Sequence, residues 1–205
     1  MSAQWTKSRS LVERIVVTGT LVLETPTHFG NGDSEGLLDM PLHLDALEGK
    51  ALLTGSSLAG GLRGYLQRID PILTKKLFGK VEGQQSDESL IIIDDAIGEP
   101  PQVELRDGVA IDPKTRTAED KKKYDIQLLA AGTTFPLSFE LLIRKDDNAQ
   151  ELLGLFALGL QALAQGEIRL GKRKRRGFGR CLVVGWSLQR FAMTTAQGML
   201  NWLRF

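Results

Sequence analysis

The sequence predicts an α+β fold in βαββαβ order, with a long insertion between its two halves. Three observations carry this. Four stretches rich in β-branched and alternating residues read as strands. Two stretches of helical periodicity lie between them, each next to a glycine-rich segment. A polar run over residues 100–132 separates the halves.

Residues 14–25 (RIVVTGTLVLET) are β-branched and alternate from Thr18 onward, which predicts a strand ended by Pro26. Residues 27–37 (THFGNGDSEGL) are punctuated by glycine and read as a loop. Residues 38–53 hold short extended pieces around a turn at Glu48-Gly49. Over residues 57–69, Leu58, Leu62, Tyr65, Leu66 and Ile69 recur at helical spacing, with Ser56 or Ser57 as N-cap. Gly60, Gly61 and Gly64 each cost such a helix about 0.8–1 kcal/mol relative to alanine. Two causes account for that cluster: close approach of a ligand or another chain, and tight packing of the helix on a sheet.

Residues 80–89 read as a polar loop and residues 89–97 (SLIIIDDAI) as a buried strand. The insertion over 100–132 carries alternating pieces at 103–111 and 124–129 around the turn-like Asp112-Pro113. Its length fits an arm. Residues 134–144 (TFPLSFELLIR) alternate as a strand. Residues 149–165 form an apolar helix capped by Asn148 and stopped by Gly166. A basic glycine loop over 167–180 leads into a last strand over 180–190. Residues 194–205 form a short terminal helix whose Met199, Trp202, Leu203 and Phe205 are apolar enough to dock on a neighbouring surface. This order is that of a ferredoxin-like (RRM-like) fold. No linker interrupts it, so residues 1–205 read as a single domain with an insertion at about 100–132.

Bulk properties narrow the function classes. A chain of 205 residues with 42% hydrophobic and 25% charged residues buries a real core. The lone cysteine, Cys181, excludes a disulfide framework and reads as a buried apolar residue in a reducing cytoplasm. With only His28 and His43 as imidazoles and no C-x-x-C pair, no structural zinc site is expected. The first twelve residues show no signal peptide, and the apolar run at 152–164 is too short to span a bilayer. The net charge of +1 is unevenly placed. Residues 1–100 carry 9 basic and 14 acidic side chains, a net of −5, and residues 101–205 carry 17 and 11, a net of +6. That asymmetry fits a molecule with a polyanion-binding half.

The sharpest signal is residues 171–180 (GKRKRRGFGR). Lys172, Arg173, Lys174, Arg175, Arg176 and Arg180 stand among Gly171, Gly177 and Gly179. Glycines let backbone N–H groups approach phosphate oxygens, and the cations neutralise them. Phe178 is placed to stack on a base. The second signal is residues 54–64 (TGSSLAGGLRG), where the hydroxyls of Ser56 and Ser57 and the guanidinium of Arg63 stand by a helix N-terminus that attracts phosphate. The pattern of a nucleotide-binding P-loop is absent. Taken together, the two loops predict binding of nucleic acid or another polyanion.

These segments resemble a known family. TGSSLAGGLRGYL is similar to the P-G-S-S-L-K-G-x-L-R segment of the RAMP proteins of CRISPR systems, and GKRKRRGFGR to their C-terminal G-x-x-x-x-R-G-x-G-R loop. VELRDGVAIDPKTRTA resembles the start of the thumb in backbone subunits of type III effector complexes. THFGNGDSEGLLDMPL resembles their first-strand loop and I-D-x-P-V segment. The resemblance runs from about Thr18 to Val184 and departs from the pattern at Thr54, where proline is usual, and Ala59, where lysine is usual.

The resemblance implies a cytoplasmic subunit that stacks with other effector-complex subunits along a CRISPR guide RNA. Its thumb inserts into the duplex with target RNA. It also implies metal-dependent cutting of the target, with Asp39 as catalytic and metal-holding residue and magnesium or manganese as the metal. His28 matches a histidine that contacts guide RNA. Asp33, Glu35 and Asp45 are nearby carboxylates, and Asp94-Asp95 reads as solvated or turn-forming. A purely structural subunit and a repeat-processing endoribonuclease are the alternatives.

Overall fold

A computed structural model of the chain describes residues 10–30, 40–82, 85–111 and 118–205. The elements run β1 (Leu11–Leu23), β2 (Leu52–Leu53), α1 (Gly55–Leu66), α2 (Pro71–Phe78), β3 (Lys80–Glu82), β4 (Gln85–Asp87), β5 (Ile91–Ile93), β6 (Ala96–Ile97), β7 (Val103–Ile111), β8 (Ala118–Leu129), β9 (Thr134–Arg144), α3 (Ala149–Ala164), a 3₁₀ turn at Lys174–Arg176, β10 (Cys181–Ala192) and α4 (Ala196–Leu203). The protein is a mixed α+β structure built on a four-stranded antiparallel sheet in the order β10–β1–β9–β5.

Alternation sets the sheet's two faces. Ile15, Val17, Leu21 and Leu23 of β1 and Phe135, Leu137, Phe139, Leu141 and Ile143 of β9 are buried toward the helices. Leu58, Leu62 and Leu66, four apart on α1, and Leu152, Phe156 and Leu163 on α3 complete that core. Each fully buried side chain of this kind contributes about 1.5–3 kcal/mol. The helices touch closely: a Cβ on Gly159 of α3 would stand 3.1 Å from Leu66 and 3.2 Å from Leu62. On the opposite face, α4 covers one end of the sheet. Arg14 lies 4.1 Å from the Trp202 ring centroid and donates to Glu140 at 2.7 Å, while the Phe191 and Phe205 rings pack at a tilt of 52° with centroids 5.6 Å apart. The terminal segment thus docks on its own sheet.

Several boundaries differ from the expectation. The N-cap of α1 is Thr54, whose hydroxyl accepts from Ser57 N, because Thr54 is the last extended residue before the turn. The helix stops at Leu66, and a second helix restarts behind Asp70, whose carboxylate caps Leu73 N, and Pro71 at the first helical position. Within the polar stretch 80–89, β3 and β4 pair. The stretch 89–97 divides: β5 joins the sheet edge, and β6 turns away to pair with β2. The two pieces of the insertion form one antiparallel hairpin, with Val103 opposite Leu129 and Ile111 opposite Ala118. Among the described residues no helix is long and apolar enough to cross a membrane.

Candidate nucleic-acid interface

The first glycine loop is the entry to α1. Gly55 sits beneath the Ile93 carbonyl, where a side chain would collide, and its N–H donates to Asp95 Oδ1 at 2.7 Å. Asp95 is therefore an anchor for the helix start rather than a solvated turn residue. The Thr54 hydroxyl lies 3.0 Å from Ser56 Oγ and 2.9 Å from Ser57 Oγ, and both serines are exposed. The result is a hydroxyl cluster on the positive end of a helix.

The second loop is pinned against the first strand's exit. Lys172 N donates to His28 O at 3.0 Å, and Leu170 N donates to Gly179 O at 2.9 Å. Gly171 (φ +78°) and Gly179 (φ +80°) make the two reversals, in left-handed conformations that also bring them against the His28 and Leu170 carbonyls. Arg173 is left-handed too (φ 59°) and opens the 3₁₀ turn, which Arg169 supports by donating Nη1–H to Lys174 O at 2.8 Å. Lys172, Lys174, Arg175 and Arg176 project as exposed cations.

The two loops meet. His28, Thr54, Ser56, Ser57, Lys172 and Lys174 line one cleft of about 490 Å³. His28 forms its wall with 1% of its surface exposed. Its Nδ1 lies 2.9 Å from Gln127 O. A carbonyl only accepts, so Nδ1 carries the hydrogen and Nε2 presents a lone pair. That Nε2 is buried and without a partner among the described residues. Burial first, and then the cations Lys172 and Arg173, hold the imidazole pKa below its ordinary 6.5, against the opposing pull of the Gln127 carbonyl. His28 is thus a neutral group, and Lys172 and Lys174 bring positive charge to the cleft.

Gln127 also ties other strands into the wall. Its backbone N–H donates to Met40 O at 3.2 Å, and its side-chain oxygen accepts from Leu42 N at 3.1 Å. The root of the β7–β8 hairpin, the exit of β1 and the segment following residue 39 are thereby joined at one residue.

Other predicted residues stand elsewhere. Arg63 is exposed on the other flank of α1, lining with Ala59 and Phe78 another cleft that meets the first at Ser56 and Gly60. Arg180 pairs with Glu24 at 2.6 Å. Phe178 is half-buried, with the Arg106 guanidinium from the hairpin 5.5 Å from its ring centroid. Arg173 is half-buried, with Nη2 4.0 Å from Met40 Sδ. Asp45 caps a turn, accepting from Leu47 N at 3.0 Å and Glu48 N at 2.7 Å. Asp39, Asp33 and Glu35 lie outside the described residues. Cys181 is buried, which pushes its thiol up to about 12, so it is an inert core residue. Among the described residues no group of three His, Cys, Asp or Glu side chains gathers as a metal site.

Sequence reasoning passed over Arg106, Gln127 and Arg169, noted Thr54 only as a departure from the family pattern, and read Asp95 as solvated or turn-forming. Only Thr54 had a local signal, as a capping residue type before a helix. The other four act across the fold.

Comparison with known proteins places these features. The family model of the RAMP superfamily matches residues 20–182, which include both glycine loops and the hairpin. A curated relative, the CRISPR system Cmr endoribonuclease Cmr4 of Pyrococcus furiosus, is 36% identical over 76 residues, covering 35% of this chain and 26% of the relative. The aligned stretch therefore spans about a quarter of that relative's length.

Proposed function

The chain belongs to the RAMP superfamily, and on that premise we propose that it is a guide-RNA-binding subunit of a type III CRISPR effector complex that cuts complementary target RNA. The observation that carries this reading is the shared cleft. It joins a helix N-terminus, two serine hydroxyls and two lysines, the donor set that grips a phosphodiester backbone. Such contacts position a strand without reading its sequence, as a subunit that accepts any guide requires. The partial likeness to an endoribonuclease of the Cmr system supports the type III assignment.

In this reading β1, α1, β5, β9, α3 and β10 are a ferredoxin-like βαββαβ core, supported by the strand order β10–β1–β9–β5. The β7–β8 hairpin is the thumb, and residues 1–205 are one domain. Guide RNA, target RNA and neighbouring subunits are the partners, in the cytoplasm. Asp39 is the catalytic carboxylate, next in the chain to Met40, which Gln127 holds beside the cleft. The described side chains do not by themselves make a site for magnesium or manganese. The metal requirement is therefore assigned to Asp39 and the RNA, and the described residues bind and orient.

Cleavage of complementary RNA by the assembled complex tests this. Asp39→Ala should abolish cutting at the positions this subunit faces and leave guide and target binding intact, and a chelator should stop the wild type. Wild-type cutting by Asp39→Ala removes that residue from the chemistry. Cutting in chelator removes the metal. A wild-type complex that never cuts leaves a scaffold subunit.

A further inference from the structure

We propose that the RNA strand does not end at the cleft over the N-terminus of α1 but runs on along the helix to Arg68, through a second groove. This rests on the RNA-binding reading above. The groove has a volume of about 470 Å³ and adjoins the first cleft, with which it shares Gly60, Gly61 and Lys174. Arg68 lines one side, and Arg169, Lys174 and Arg175 line the other. Among the described residues no ion pair engages any of these four. The lining has a single carboxylate, Glu167, and the Tyr65 hydroxyl donates to it at 2.6 Å. Arg68 also lies 5.4 Å from the centroid of the Tyr65 ring, which keeps its guanidinium on the helix side. The groove therefore carries a net excess of three positive charges beside the second half of α1 and the turn that holds Arg68.

A line of cations facing a helix suits a line of phosphates, and a second observation on the same surface agrees. A Cβ on Gly61 would meet Leu170 and Ile168 at 3.0 and 3.1 Å, so packing within the chain accounts for that glycine. A Cβ on Gly60 or Gly64 would meet nothing within 4 Å, and both residues are exposed in the groove. Nothing inside the protein requires glycine there. One turn apart on one face, they leave bare backbone where a strand passes close to the helix.

Fluorescence anisotropy of labelled single-stranded RNA on the full chain, titrated with salt, tests the path. Gly64→Leu should weaken binding by about fivefold or more, and Arg68→Gln should lower the salt slope by about 0.7. Gly64→Ala should raise the thermal midpoint yet weaken RNA binding, a pair of signs that a purely structural glycine would not produce. Circular dichroism checks folding, and Arg68→Gln carries the test if Gly64→Leu does not fold. A labelled oligoglutamate is the second probe. Equal losses for it and for RNA in Gly64→Leu make the groove a general acid-binding face and overturn the assignment. Lys172→Gln reports on the first cleft alone. If Lys172→Gln weakens binding while Gly64→Leu and Arg68→Gln keep wild-type affinity and slope, the strand leaves before Gly64, and this inference falls while the RNA-binding reading stands. If the wild type binds no RNA, both fall.

Discussion

The two glycine-rich loops look alike in composition and are built on different physics. In the loop over residues 171–180, glycine is needed for backbone conformation: Gly171 and Gly179 hold left-handed reversals with a carbonyl in the space a side chain would take. In α1 all the glycines are helical. Gly55 and Gly61 are there because a neighbour is too close, and Gly60 and Gly64 face open space. One loop is a rigid presenter of cations, and the other is a helix flank left bare. A count of glycines does not separate these cases, whereas the response to one added methyl group does.

That response gives the largest expected effect. Gly179→Ala places Cβ against the Leu170 carbonyl at a positive φ, so it should cost about 2–3 kcal/mol in urea denaturation and take the RNA affinity with it. A neutral result would mean that the loop is pliant and the contrast with α1 is false.

The next effect isolates the presented charge. Changing Arg173, Arg175 and Arg176 together to glutamine should weaken RNA binding by roughly tenfold or more and lower the salt slope by about 2, with sequence preference unchanged. Most of this should come from Arg175 and Arg176, because Arg173 is half-buried against Met40. Unchanged affinity and slope in the triple variant would remove the loop from the interface.

A smaller effect concerns the wall between the loops. His28 binds its proton less readily folded than unfolded, because burial lowers its pKa below 6.5. Between the two values the unfolded chain takes up more protons, so stability falls as pH drops through 6.5 toward the folded value and is level above 6.5. Thermal midpoints between pH 8 and about 5 should show this decline. His28→Gln, which keeps a donor for Gln127 O, should flatten it. An equal decline in the variant would assign the titration elsewhere.

The smallest effect has the opposite sign to the first. Gly64→Ala adds a methyl into open space on a helix, so it should stabilise by about 0.5–1 kcal/mol. A loss of stability would show that Gly64 is structural after all.

Much of this architecture was legible because it is periodic. The alternation in residues 134–144 marks a strand that coincides with β9, and Asn148 and Gly166 bracket α3 closely. Helix α2 carries its own signal, Asp70 as N-cap before Pro71, hidden behind apolar spacing that runs on to Ile69. The site was harder to read because charge pairing is not local. Arg180 belongs to the same basic run as Arg175, yet its partner Glu24 lies at the end of the first strand's exit, far away in the chain. Phe178 and Arg106 come together only when the hairpin folds beside the basic loop. Ser56 and Ser57 and the lysines of the second loop line one cleft, a juxtaposition that only the folded chain makes.

The hydrogen bonds of Gln127 have a mechanical side. From Val103 to Ile111 the hairpin extends about 27 Å at the rise of an antiparallel strand. It is a lever whose bearing is Gln127, fixed to His28, Met40 and Leu42. Tilting the lever by about 5° would carry the Ile111 end through about 2 Å, given that length. The aim of the far end is therefore decided at its root, and slack introduced there by Gln127→Ala would be magnified where the hairpin reaches outward, with no change to any residue at that end.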